Sequence, residues 1–208
     1  MSVSLDLWTE EYPESGAIAG EGAGRVLGRP PLSELALAIR EAVQNSWDAR
    51  RDRTLDGRIV CEIEYVTLDS EQCSILRDSV LPVHNPISEF LDSLNRSLRD
   101  GVPSMLVFRD SGTYGLSGPT SATADPTGVE CRFRDFVRNI GSGELRQGYG
   151  GSYGFGKSSL FRLSANSTVL VYTRTRDEHE RVVQRFIGMA VDRSFSAAGK
   201  RYTGRYWW

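Results

Sequence analysis

The order of periodic segments predicts an α+β chain in which helices pack on a mostly antiparallel sheet. Three stretches carry that expectation: an amphipathic helix over 33–53, an alternating strand over 58–68, and two late strands, 167–175 and 181–191. The short charged turn between the last two, Arg176 to Glu180, makes them an antiparallel hairpin. With 208 residues the chain has the length of one domain with room for a proper core.

Taken in order, residues 1–32 are glycine-rich and irregular after a short apolar start at Val3, Leu5, Leu7 and Trp8. They read as an arm that packs across the domain or reaches a partner. The helix that follows, SELALAIREAVQNSWDARRDR, opens at Ser33, a good capping residue, with Pro30 and Pro31 outside it. At about 100° per residue, Leu35, Ile39, Val43 and Trp47 share one face. Glu34, Glu41, Asn45, Asp48 and Asp52 occupy the other, which an ordinary amphipathic helix would turn to water. Asp56-Gly57 marks a turn, and RIVCEIEYVTL alternates as a strand should. A second helix is expected over Ile87 to Arg99, with Ile87, Phe90, Leu91, Leu94 and Leu98 inward and Gly101 as its stop. SMLVF, 104–108, reads as a short buried strand running into RDSGTYGLSG. ECRFRDFVRNI, 130–140, reads as a helix with Phe133, Phe136, Val137 and Ile140 inward. The glycine-dense GSGELRQGYGGSYGFGKSS, 141–159, leads into a short helix.

Composition narrows the function classes. The net charge of −2 and pI near 5.8 give no global attraction to nucleic acid or anionic membrane. Arg50, Arg51, Arg53 and Arg58 cluster after the long helix, where cations complement a helix C-terminus. No apolar run approaches ~20 residues, the length needed to span a membrane. The acidic N-terminus lacks a signal-peptide core. Cys61, Cys73 and Cys131 are widely spaced and odd in number, which suits reduced thiols in a cytoplasmic protein. His84 and His179 stand apart, which argues against a histidine-based metal site or triad.

Gly151 to Ser158, GSYGFGKS, fits the phosphate-loop pattern G-x-x-x-x-G-K-[ST]. That loop needs a buried apolar strand directly before it, aiming backbone amides at phosphate from the head of a helix. GELRQGYG stands there instead, so a P-loop NTPase is the lesser reading.

Three segments in order, EAVQNSWDA, RDSGTYG and GGSYGFGKSS, resemble the GHKL (Bergerat-fold) ATPases, which include type II topoisomerase subunits, a heat-shock chaperone, sensor histidine kinases, MutL-type and MORC proteins. The resemblance covers about residues 33–192. It implies a two-layer α+β sandwich, with helices covering one face of a mixed, mostly antiparallel sheet, and an ATP-binding domain over 33–208 after an arm of 1–32. It implies ATP and Mg²⁺ as ligands. Glu41 aligns with the glutamate that activates water, Asn45 with the magnesium ligand and Asp48 with the second acidic position. Asp110 aligns with the aspartate that accepts from the adenine amino group, and Gly112 lets the ring approach the backbone. Gly151, Gly154 and Gly156 align with the lid glycines, beside Phe155. Lys157, Ser158 and Ser159 are placed to reach phosphate oxygens. The presence of Glu41 points to the hydrolysing branch. The usual aspartate box is D-x-G-x-G; this chain is one residue longer, reaching Gly115. That branch also takes a lysine from a following domain, so the expectation is slow hydrolysis by the N-terminal part of a longer protein. ATP would drive homodimerisation or switching for an attached effector or partner protein. A non-hydrolysing ATP sensor is the alternative, and nucleic acid is not supported by the charge.

Overall fold

The computed structural model describes residues 4–15, 19, 32–51, 58–121, 123, 131–138 and 155–208, excepting the side chains of 155–157. In chain order the elements are β1 (Trp8–Glu11), α1 (Glu34–Asp48), β2 (Val60–Thr67), α2 (Ser70–Ile75), a π-helical turn (Leu76–Val80), α3 (Glu89–Asp100) and β3 (Ser104–Ser111). After these come α4 (Arg132–Val137), α5 (Phe155–Leu163), β4 (Thr168–Arg176), β5 (Val182–Val191), β6 (Phe195–Ala197) and β7 (Lys200–Trp207).

The α+β class holds, and every described strand pairing is antiparallel. The main sheet runs β1-β7-β5-β4, with β6 also on β7, while β2 and β3 form a separate two-stranded sheet. The β4–β5 hairpin runs in register from Arg176↔Val182 to Thr168↔Ala190. Its turn is held by Asp177, whose Oδ1 accepts from the His179 and Arg181 amides, both at 2.9 Å. The Arg181 guanidinium bonded to Asp177 also holds that carboxyl below the usual aspartate range. Trp8–Glu11, within the segment read as an arm, is the edge strand on β7, with Trp8 opposite Trp207.

Helices pack on both faces of the main sheet, which corrects the expectation of cover on one face. Side chains alternate along a strand, so Tyr206 and Ala190 turn one way and Trp207 and Met189 the other. Tyr206, Ala190 and Trp208 meet Leu91, Leu94 and Leu98 of α3, together with Leu81 and Val83. Trp207, Met189 and Val171 meet Phe133 and Val137 of α4 and Phe161 of α5. The inward residues expected of the second and third predicted helices are confirmed at these positions; Ile87 is exposed instead.

Two further expectations change. SMLVF is not a buried strand: β3 pairs only with β2, and its residues alternate between exposed and half-buried. The long helix is also turned. Leu37, Ala38, Glu41 and Ser46 are its buried residues, whereas Leu35, Val43 and Trp47 of the apolar stripe are exposed. α1 packs against α5, and the Arg162 Nε reaches Glu34 Oε2 at 2.9 Å. The buried face is therefore the one carrying Glu34 and, two turns on, Glu41. A helix over Ser70–Ile75, within a stretch that reads as mixed, begins with a reciprocal cap: Asp69 accepts from the Gln72 amide, and the Gln72 side chain from the Asp69 amide. The D-x-x-Q spacing is the signal that could have found it.

Candidate nucleotide site

The C-terminal half of α1 and the loop leaving β3 are fastened together at Asp110. Ser46, buried on α1, has its hydroxyl 2.7 Å from Asp110 Oδ2 and 2.9 Å from the Ala42 carbonyl oxygen, so its one proton is within reach of both acceptors. Thr113 donates to Asp110 Oδ1 at 3.1 Å. Around this centre the backbone closes a small lattice. The Arg51 amide donates to the Gly112 carbonyl at 3.0 Å, the Tyr114 amide donates to the Ala49 carbonyl at 2.8 Å, and Arg51 Nε donates to the Thr113 carbonyl at 2.6 Å. The carbonyl of Ala49, the cap of α1, and the Arg51 amide beyond it are thus satisfied by the loop leaving β3.

Two glycines make that loop possible. Gly112 has φ +83°, in the left-handed region, and a Cβ there would collide with the Arg58 carbonyl oxygen. Gly115 has φ +66°, and a Cβ would lie 2.8 Å from Thr173 Oγ1 and 3.0 Å from the Arg174 carbonyl oxygen. The extra residue in this aspartate box therefore carries the chain up against β4. There Thr173 Oγ1 accepts from the Leu116 amide at 2.9 Å, and Thr175 donates to the Tyr114 carbonyl at 2.6 Å. Both threonines are buried.

The other predicted residues divide as follows. Glu41 is buried on α1, Asn45 one turn on is exposed, and Asp48 is half-buried. Ser159 is fully buried on α5 and Ser158 partly so, on the helix that packs against α1. Phe155, Gly156 and Lys157 form the first turn of α5. Gly151 and Gly154 lie outside the described residues. The structure thus brings α1, the Asp110 loop and α5 together, while two surface cavities elsewhere are lined by other residues. Sequence reasoning missed Ser46, Thr113, Thr173 and Thr175. Hydroxyls inside a helix and a strand carry no spacing signature of their own.

Among the described residues no group of three or more histidine, cysteine, aspartate or glutamate side chains could hold a metal. A magnesium ion shared with phosphates does not require one, since it keeps waters and takes one or two protein oxygens. Asn45, exposed on α1, presents one amide oxygen of that kind. None of the described helices is long and apolar enough to cross a membrane, and none of the three cysteines is in a disulfide. Compared with protein-family models, curated proteins and solved structures, the chain matches none.

Proposed function

We propose that this chain is a GHKL-type module that binds ATP with Mg²⁺, hydrolyses it slowly and uses the bound state to drive dimerisation or a switch in an attached effector. The observation that carries the reading is the Ser46–Asp110 bond. It joins the helix bearing Glu41 and Asn45 to the aspartate–glycine loop, across 64 residues of sequence. Two motifs that the resemblance requires side by side are side by side, and the helix following the glycine-rich segment packs on the first of them.

In this reading Asp110 receives the adenine amino group. Its carboxylate has about four lone-pair sites, and the two hydroxyl bonds leave capacity for another donor. Gly112 keeps the neighbouring backbone bare. Asn45 would hold Mg²⁺, which when bound neutralises phosphate charge. Glu41, one turn away and shielded from bulk water, holds the position of a general base; burial beside a charge-bearing ligand is the setting in which a carboxylate takes a proton from water. Ser158, Ser159 and Lys157 head the helix whose N-terminus favours anions.

Calorimetry of ATP with Mg²⁺ tests the reading. Asp110→Asn is expected to weaken binding roughly tenfold or more, the effect of losing a hydrogen bond to a charged group. Glu41→Gln is expected to keep binding and lose turnover. Unchanged binding in Asp110→Asn, with loss in Lys157→Ala, would instead favour the phosphate-loop reading of Gly151 to Ser158.

A further inference from the structure

Away from Asp110, two adjoining cavities of about 390 and 500 Å³ share Arg138, Ile187 and Trp208 in their walls, so they make one groove. Its size falls within the range of small-molecule sites. Its walls combine two arginines and several aromatic rings, with Asp6, Thr120, Ser121 and Gln184 as side-chain acceptors. Arg138 lies with its Cζ 5.4 Å from the Trp207 ring centre and gives only a long bond, 3.4 Å, to the Thr120 carbonyl. Arg185 lies 5.2 Å over the Phe133 ring and donates to the Leu116 carbonyl at 2.9 Å.

Neither guanidinium has a carboxylate partner within ion-pair distance among the described residues. Each offers five N–H donors, so most of their hydrogens are unspent. Burial lowers the Arg185 pKa from its ordinary value, and the Asp177 carboxylate opposes this only in part. The Trp207 indole Nε1 is buried and has no hydrogen-bond acceptor among the described residues. Among the described residues, Asp6 at the far end is the one carboxylate in the walls, against two arginines, and the cavity bounded by both arginines has none. The groove is thus polarised, with its cationic end at Arg138 and Arg185 and an aromatic end where Trp8, half exposed, stands near Trp207.

We propose that this groove binds a small aromatic anion, its flat ring on Trp8 and Trp207 and its carboxylate or phosphate taken by Arg138 and Arg185. A charged acceptor satisfies guanidinium donors more strongly than water or a carbonyl does, and neither arginine has one within ion-pair distance among the described residues. A ring beside the indoles and guanidiniums gains stacking and cation–π contact. The proposal does not rest on nucleotide binding at Asp110, although Arg185 also holds the Leu116 carbonyl at the end of that loop.

The test is a titration of isotope-labelled full chain followed by its tryptophan indole N–H signals, four in all. Naphthoate and naphthyl phosphate are the anionic probes, and naphthamide is the neutral one. Saturable shifts of the Trp8 and Trp207 signals are expected with the anions, while Trp47, on α1, stays still. Arg138→Gln should weaken the anions roughly tenfold, as loss of a charge-assisted hydrogen bond does, and leave naphthamide unchanged. Preference between naphthoate and naphthyl phosphate identifies the headgroup. Naphthamide binding wild type as tightly as naphthoate would overturn the proposal without any variant. So would shifts confined to Trp47, or anion binding untouched by Arg138→Gln in a folded protein.

Discussion

Asp110 is held from both sides by hydroxyls, so in the proposed reading stability and nucleotide binding meet at this residue. Ser46→Ala removes a 2.7 Å bond to a carboxylate and leaves Asp110 with Thr113. The expected loss is about 1–3 kcal/mol in urea denaturation, the range for bonds to a charged group. ATP affinity should fall less than in Asp110→Asn, because the carboxylate itself remains. Gly112→Ala forces a side chain into the left-handed region and against the Arg58 carbonyl, for a loss of about 1–3 kcal/mol from the backbone region alone. Gly115→Ala instead meets Thr173 Oγ1, so its expected signature is loosening of the contact between the loop and β4, read as faster amide exchange at Leu116. At this scale the sequence displays Asp110 and Gly112 through their spacing. It is silent on Ser46, Thr173 and Thr175, whose roles exist only through contacts 57 to 64 residues away.

At the scale of elements, helix and strand periodicity is largely legible and burial is not. Leu91, Leu94 and Leu98 of α3 recur at three- and four-residue spacing, and all three are buried as that spacing demands. In α1 the same rule names the wrong face. Its longest apolar side chains lie along Leu35, Val43 and Trp47, but the neighbour it meets is α5, and the packed face combines Leu37 and Ala38 with Glu41 and Ser46. Small residues let the two helices approach, and polar ones are admitted because they find partners, as Ser46 does with Asp110. β3 shows the same limit, since an apolar run is fully buried only when both faces are covered, and pairing partners are not written in the run itself. The orientation of α1 makes a direct prediction. Leu37→Ala should cost about 2–5 kcal/mol, the range for a buried leucine. Val43→Gln should stay within about 0.5 kcal/mol of wild type, as exposed substitutions do. Equilibrium urea denaturation of the two variants separates the packed face from the open one; the reverse order would mean that the apolar stripe is the buried face.

At the scale of the whole molecule, one residue of β7 joins the sheet to the helix that covers it. Tyr206 is fully buried, stacks on Phe90 of α3 at 4.9 Å between ring centres, and shares a 2.8 Å hydrogen bond with Ser88, the cap of that helix. Burial pushes its phenol up to about 12 from the ordinary value of 10.0. The direction of the consequence follows from linkage. Below pH 10 the phenol is protonated in both folded and unfolded chains and contributes no pH dependence. Between 10 and about 12 the unfolded chain releases this proton while the folded one keeps it, so stability is lost as pH rises, by about 1.4 kcal/mol per unit. Other groups titrate in the same range, and Tyr206→Phe isolates this one. The variant lacks the bond to Ser88 and should be about 1 kcal/mol less stable than wild type at neutral pH. It has no phenol to ionise, so the gap should close above pH 10 and then reverse. Denaturation of both proteins at intervals from pH 7 to 11 reads the effect directly, and a gap that stays constant across that range would mean that Tyr206 ionises as freely in the folded chain as in the unfolded one.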